Sequence, residues 1–428
     1  MPRFVGLDIH KRVVEGCVLD AAGQVVQRVR TGTSRAELEA LGRTVLRPDD
    51  RVALEATTNT WAIVRVLTPF VAEVVVSNPL RTRAIADAKV KTDKVDAEVL
   101  AQLLRADFLP RVWQPDEATQ RLRALTTRRA QLVADRTRLK NRLHAVLHQR
   151  LLTPPVTKLF SHAGLAWLAT APLPPEERAA VERTQRLLAA VEAERTALER
   201  PLAELGYADA RVKLLLTLPG VDLTVAQTLL AALGEVTRFR DGAHAASYLG
   251  LVPATRQSAD HCHHGPITKA GRGHARWVLV QAAHAVAEHP GPLGAFFRRL
   301  AHRKGNPNIA VVATARKLVV LAWHLLTSGE PYRYALPRPT AQKLSRLRVR
   351  ATGQRRPRGP RAGAARPGPG GGVLVKPLAE VYAAEGLPPT RPLAPGEQAA
   401  LRRAGVAPFV ETLAHAHRRP RRRARSDA

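Results

Sequence analysis

The hydrophobic period of this chain changes once, near residue 110, and that change limits the architectures open to it. Before that point strand and helix signals alternate. "RFVGLDIH" is a short apolar strand, and "RVVEGCVLDAAGQVVQRVR" reads as two further strands around an Ala-Gly turn. "TSRAELEALGRTVL" carries Ser34-x-x-Glu37, a capping-box pattern, and continues as an amphipathic helix. "RVALEAT" and "VAEVVVSN" are strands on either side of the helix "NTWAIVRVLTPF", and a last helix runs from "KVKTDKVDAEVL" to about Phe108. Three strands, helix, strand, helix, strand, helix predict an α/β domain over 1–110, a mixed sheet covered by helices.

Beyond it strand signals vanish. Leu122, Leu125, Leu132, Leu139, Leu143 and Val146 recur at spacings of three, four and seven. A Pro-rich break and the helix "RAAVERTQRLLAAVEAERTALERPLAEL" follow, so 111–205 is expected to be a helical hairpin or coiled-coil arm. Residues 206–337 read as a second, mostly α-helical domain. Its opening, "LLLTLPGVDLTVAQTLLAALG", resembles a helix-hairpin-helix around Pro219-Gly220, whose turn amides can hold a phosphate. In 338–428, "RPRGPRAGAARPGPGGG" and "HRRPRRRARSDA" are low-complexity, so a basic, largely disordered tail is expected around one helical patch, "LAEVYAAEGL".

Charge narrows the partners. The chain holds 67 Lys+Arg against 36 Asp+Glu, a formal net charge of +31. Such an excess attracts polyanions, nucleic-acid phosphate first and anionic membrane second. No run of about 18 apolar residues occurs, so no membrane span is expected. The N-terminus lacks the apolar core of a signal peptide. Cys17 and Cys262 are too few for a disulfide framework or a cysteine-based zinc site. A cytoplasmic, nucleoid-associated protein is expected.

Within this basic chain, four acids stand out. Asp8 and Glu55 each interrupt an apolar strand, where a carboxylate is costly unless something positive meets it. Asp93 and Asp96 share one helix face. Converging at one sheet edge, the four would suit one or two hard divalent cations, with Mg2+ favoured for oxygen ligands. Two such ions, about 3.5–4 Å apart, serve phosphodiester cleavage. Singly, each acid has a plainer reading: a strand-end turn, an edge charge, or a helix cap paired with Lys91 and Lys94. Those lysines could equally hold DNA phosphates.

A second stretch, "LGLVPATRQSADHCHHGPITKAGRGHARWVLVQAA", reads as a polar loop followed by a helix. Ser258 sits there beside Arg256, with Lys269, Arg272 and Arg276 downstream. Cations around a hydroxyl can bind a phosphate and favour developing charge, although an ordinary polar loop has the same composition. His261, Cys262, His263 and His264 are read as loop, because consecutive residues rarely all face one ion.

"GLDIHK", "ALEATTNT" and "SNPLRTRAIADAKVKTDKVDAEVLAQL" resemble the RuvC-like domain of the DEDD-type insertion-sequence transposases. Asp8, Glu55, Asp93 and Asp96 match that family's quartet in order and spacing. The resemblance implies an RNase H-like sheet with Mg2+ at these catalytic acids. The second stretch is similar to the family's C-terminal transposase domain, and Ser258 matches its catalytic serine. Here Ala259-Asp260 follows, where a glycine-containing sequence is more usual, which leaves the local backbone and register open. Ser247, in a helix expected to pack on the core, is the competitor.

The expected function is a DNA transposase/recombinase of a mobile element. Ser258 would attack a scissile phosphate and conserve its energy in a covalent phosphoserine. With acids and serine on separate domains, a composite site is expected, from a homodimer assembling to a tetramer at synapsis. The resemblance further implies a structured guide RNA encoded by the element. Two alternatives remain: a Mg2+-dependent, structure-selective endonuclease using water, and a non-catalytic nucleic-acid binder.

Overall fold

In the computed structural model, which describes residues 2–85, 92–258, 260–355 and 373–419, the early alternation becomes a five-stranded mixed sheet. Its strands are β1 (Phe4–Ile9), β2 (Val13–Leu19), β3 (Val25–Gly32), β4 (Arg51–Glu55) and β5 (Glu73–Ser77), in the order β3-β2-β1-β4-β5. The first three pair antiparallel, whereas β1, β4 and β5 run parallel. Helices α1 (Arg35–Thr44), α2 (Thr60–Leu67), α3 (Pro79–Ile85) and α4 (Asp93–Arg105) complete the unit, which spans Met1–Asp116. The capping box forms as expected: Ser34 Oγ accepts from the Glu37 amide at 3.4 Å, and Glu37 accepts from the Ser34 amide at 3.1 Å.

Strand alternation divides the sheet between two cores. Val5, Leu7 and Ile9 face Leu38, Leu41, Ile63, Val64 and Leu67 of α1 and α2. On the other side Ala53 and Val75 meet Leu100 and Leu104 of α4, while Cys17 and Leu19 meet Ala97 and Ala101. Gly6 makes this second packing possible. A Cβ there would lie 1.9 Å from the Ala97 carbonyl oxygen, so the α4 backbone rests directly on β1. Arg28 fixes the helix laterally through Glu98 at 2.6 Å, and Gln102 donates to the Gly23 carbonyl at 3.0 Å. Elsewhere the buried Arg3 grips Asp50 with two bonds of 2.8 and 2.7 Å.

The second unit, Glu117–Ala428, is built on helices. α5 (Glu117–Gln149), α6 (His162–Thr170) and α7 (Pro175–Ala208) enclose Leu139, Leu143, Leu147, Leu168, Val181 and Leu188. α8 (Ala210–Leu216), α9 (Leu223–Leu233) and α10 (Gly242–Tyr248) lead to a two-stranded ribbon, β6 (Pro253–Ser258) and β7 (His261–Ile267). α11 (Gly273–Val286), α12 (Pro292–Lys304), α13 (Pro307–Ser328) and α14 (Pro337–Thr352) follow. By length and apolarity α13 could cross a bilayer, but its Val311, Ala315, Leu318, Val319 and Ala322 lie buried in the main core of the unit. It is a core helix.

Three expectations change. The segment 338–428, expected to be largely disordered, supplies α14, β8 (Val373–Val375), α15 (Leu378–Ala384), α16 (Pro395–Arg403), α17 (Ala407–Thr412) and β9 (His417–Arg419). Leu378, Tyr382, Leu387 and Leu413 join the main core, and Arg348 pairs with Glu385 at 3.0 Å. Its low-complexity composition masked short apolar segments between the Pro- and Arg-rich ones; 356–372 and 420–428 lie outside the described residues. The His261–His264 stretch, expected as loop, is strand β7. The Pro219-Gly220 turn is not presented for phosphate: it packs on α11, where a Cβ at Gly220 would lie 2.1 Å from the Ala282 carbonyl oxygen. Lys343 of α14 donates to the Leu218 and Val221 carbonyls of the same turn at 2.7 and 3.0 Å.

Gly6→Ala should therefore force α4 off the sheet, lowering unfolding stability by roughly 1–3 kcal/mol in chemical denaturation. Burial pushes the Lys343 ammonium down to about 7, with Asp222 opposing. The unfolded chain then binds more protons than the folded one above pH about 7 and up to its ordinary titration near 10. Stability should rise with pH across that window, and Lys343→Met should flatten the rise in a series of melts.

Candidate active site

The parallel register of β1 and β4 sets Leu7 beside Leu54, so the next residues, Asp8 and Glu55, lie side by side near the C-terminal ends of adjacent strands. Gly6 and Ala53, two residues earlier on each strand, lie on the α4 side, and alternation places Asp8 and Glu55 there too. Helix α4 starts above this edge. Thr92 is its N-cap, its hydroxyl accepting from the Val95 amide at 3.4 Å. The capping duty that would have explained Asp93 or Asp96 thus falls to another residue. Both acids occupy the first helical turn, where the positive end of the helix dipole favours them.

The structure brings Asp8 and Asp93 together through a residue to which sequence reasoning assigned no role. His10 Nε2 lies 3.0 Å from Asp8 Oδ2 and 3.2 Å from Asp93 Oδ2. One ligand atom from each of Asp8, His10 and Asp93 falls within 4.8 Å of the others. Asp96 is half-buried and near enough to act on Asp8 electrostatically; Glu55 is half-buried at its strand end, outside that three-residue cluster. The Asp8 side chain is only 16% exposed. Burial raises its pKa above the ordinary carboxylate value, the charges of Asp96 and Asp93 push the same way, and His10 opposes them.

A signal for His10 existed: it lies two residues past Asp8, on the same side of the extended chain. Glu15 was also missed. It pairs directly across from Asp8 in the antiparallel register, its side chain 11% exposed and 3.1 Å from Arg30 Nε. Only the strand pairing reveals that neighbour. Asp8 and Asp93, which share the His10 imidazole as an ionic partner, fit a divalent cation by donor chemistry. Lys94 is exposed on α4, whereas Lys91 lies outside the described residues.

In the second unit Ser258 ends β6 and is exposed. Ser247 on α10 is exposed as well, although its neighbours Ala245 and Ala246 are buried as expected. Strand β7 sends alternate residues to opposite faces, and Cys262 Sγ approaches His264 Nε2 at 3.8 Å. Among the described residues no third ligand joins that pair. The expected phosphate-binding cations divide. Arg256 is exposed on β6 and Lys269 is exposed in the following loop. Arg272 caps the start of α11 and reaches Thr127 Oγ1 at 3.5 Å. The Arg276 guanidinium donates to the carbonyls of Leu249 and Gly271 at 3.3 Å each, and to that of Ala270, bracing the loop from within.

A transposase family model of the DEDD type matches residues 5–151. The model described as "Transposase IS116/IS110/IS902 family" matches residues 212–298. Similar curated proteins include the transposase for insertion sequence element IS1328 of Yersinia enterocolitica, 24% identical over 76% of this chain and 97% of its own length. The 44.8 kDa protein of insertion element IS116 of Streptomyces clavuligerus is 24% identical over 78% of this chain and 97% of its own length. The pilin gene-inverting protein of Moraxella lacunata is 26% identical over 61% and 74% respectively.

Because the Asp8 pKa is raised in the fold, its ionisation costs stability as pH rises through that raised value, and the protonated form is the favoured one. In chelator at neutral pH, Asp8→Asn should therefore melt no lower than the parent chain. Millimolar Mg2+ should raise the melting temperature of the parent and leave that of Asp8→Asn unmoved. Calorimetric scans with and without Mg2+ check both.

Proposed function

The chain belongs to the IS116/IS110/IS902 family of insertion-sequence transposases, enzymes that cut and rejoin DNA, and we propose that it does so with a divalent cation at its acid quartet and Ser258 as nucleophile. The observation that carries this reading is the cluster at the end of β1. Asp8 and Asp93 converge on His10, and Asp96 adds to the charge that Asp8 feels. Asp8, Glu55, Asp93 and Asp96 would hold Mg2+. When bound, the ion would stabilise charge developing on the scissile phosphate. The strand order β3-β2-β1-β4-β5 supports the RNase H-like reading of this sheet.

Ser258 is exposed at the end of a ribbon, open to a phosphodiester backbone. Arg256, two residues earlier on the same strand, would hold a non-bridging phosphate oxygen and Lys269 a neighbouring phosphate. Attack by the Ser258 hydroxyl would form an ester to phosphorus and release a sugar hydroxyl, keeping the energy of the broken bond for rejoining. Inversion, for which the Moraxella relative is named, needs cut ends to be rejoined without loss, and an ester intermediate meets that need. The net charge of +31 supports both DNA and a structured guide RNA as partners. Assembly from homodimer to tetramer at synapsis belongs to the same proposal.

Incubation with a plasmid bearing the element, followed by denaturing extraction, should recover a covalent protein–DNA adduct that requires Mg2+. Ser258→Ala should abolish the adduct, and Asp93→Asn should reduce it by about a hundredfold or more, the range of a lost metal-site or acid–base function. Normal cutting by Ser258→Ala with no adduct would instead indicate a water-using endonuclease.

A further inference from the structure

The register of the β6–β7 ribbon assigns Ser258 a partner. Ser258 stands opposite His261 and Arg256 opposite His263, whereas Gln257 stands opposite Cys262 and Thr255 opposite His264. Opposed residues of an antiparallel pair share a face, and the faces alternate along each strand. One face therefore carries Ser258, Arg256, His261 and His263; the other carries Thr255, Gln257, Cys262 and His264. The side chains on the second face obey this division: Thr255 Oγ1 lies 3.0 Å from His264 Nδ1, and Cys262 Sγ lies 3.8 Å from His264 Nε2. All eight residues are exposed, so neither face is occupied by the core of the unit.

A serine hydroxyl is a weak nucleophile until an adjacent base takes its proton. Arg256 cannot serve, because a guanidinium has no acceptor and does not deprotonate in proteins. Imidazole exchanges protons near neutral pH. Opposed Cβ atoms lie about 4.5–5.5 Å apart, which lets an imidazole reach a serine oxygen on the same face. Resting on the reading of Ser258 as the nucleophile, we propose that His261 is its general base, a catalytic residue that accepts the hydroxyl proton during attack and returns it during rejoining.

The step balances. As Ser258 Oγ forms its bond to phosphorus, the Oγ proton passes to neutral His261. The phosphorus–oxygen bond to the leaving sugar breaks, its electron pair goes to the sugar oxygen, and that oxygen takes a proton from solvent. In rejoining, a sugar hydroxyl attacks the phosphoserine and gives its proton to solvent, while the imidazolium returns its own to Oγ. The groups around His261 are Arg256 and His263 on its face and Asp260 beside it in the chain.

Two measurements test this. With the plasmid bearing the element, His261→Gln should form adduct about a hundredfold more slowly, the usual worth of a general base. Added imidazole should restore part of the rate to His261→Ala, and His263→Gln should stay within a few-fold of the parent. The second measurement needs no DNA. In a Cys262→Ser background, the thiol introduced by Ser258→Cys should be alkylated by iodoacetamide several-fold faster at pH 7 when His261 is present than when it is replaced by Gln. An unchanged adduct rate in His261→Gln, or alkylation indifferent to His261, would overturn the assignment. An adduct that survives Ser258→Ala would overturn the nucleophile itself, an outcome the alkylation result can be told apart from.

Discussion

Helix α4 rests on β1 with main chain against main chain, and the candidate site of the first unit depends on that contact. At Gly6 there is no room for a methyl group beneath the Ala97 carbonyl. The helix contributes small residues, Ala97 and Ala101, along the same line. Its axis is therefore low over the sheet, and its first turn ends where β1 ends. Arg28 to Glu98 and Gln102 to Gly23 fix the helix laterally. Asp93 reaches the imidazole that Asp8 already holds because all three geometric conditions are met at once. Helix height is set by a glycine, rotation by polar locks, and axial position by the Thr92 cap.

A surplus of 31 positive charges does not neutralise this edge, because electrostatics at a buried carboxylate is local. Charges farther than a Debye length, about 8–10 Å, are screened where water intervenes. Arg30, opposite Glu15 on the neighbouring strand, is committed to that glutamate, while Arg3 and Arg51, at the other end of β1 and β4, pair with Asp50 and Glu73. Asp8 is left with burial and two like-charged neighbours that raise its pKa, opposed by His10. A strongly basic chain and a local edge of crowded carboxylates thus coexist.

What the sequence disclosed depended on whether burial left a period to read. The sheet strands alternate between two cores, so Asp8 and Glu55 stood out against apolar neighbours. The turn at Ser34 obeyed a four-residue rule and formed as written. Glu15 escaped notice for a different reason, since its relation to Asp8 is a matter of pairing register, which local sequence does not encode, whereas His10 carried only its two-residue spacing from Asp8. β6 and β7 had no apolar alternation at all, being exposed almost throughout, and therefore read as loop. The C-terminal segment failed the compositional test in bulk while holding Tyr382 at 1% exposure, its hydroxyl 2.5 Å from the Tyr332 carbonyl oxygen. Lys343, a cation in an apolar helix face, reads as surface until the turn carbonyls it satisfies are placed.

The two candidate groups differ in mechanical character, and the difference follows from where each is built. Asp8 and Glu55 stand on strands flanked by packed cores on both faces, and Asp93 and Asp96 on the first turn of α4, which is seated on the same sheet. Ser258 stands on a two-stranded ribbon with little buried surface, and such ribbons have little stability of their own. Segments with few apolar contacts open and shift at low free-energy cost. A metal site benefits from rigid donors, whose spacing decides which ion is bound. The nucleophile proposed at Ser258 would approach a phosphate, hold it covalently and then release it to a different hydroxyl, and would benefit from compliance. As long as β6 and β7 stay paired, Ser258 keeps the same cross-strand neighbours. Close placement of the candidate acids and exposure of the ribbon that carries Ser258 are thus separate properties of the fold, the first owed to the contact at Gly6 and the second to a hairpin with little buried surface.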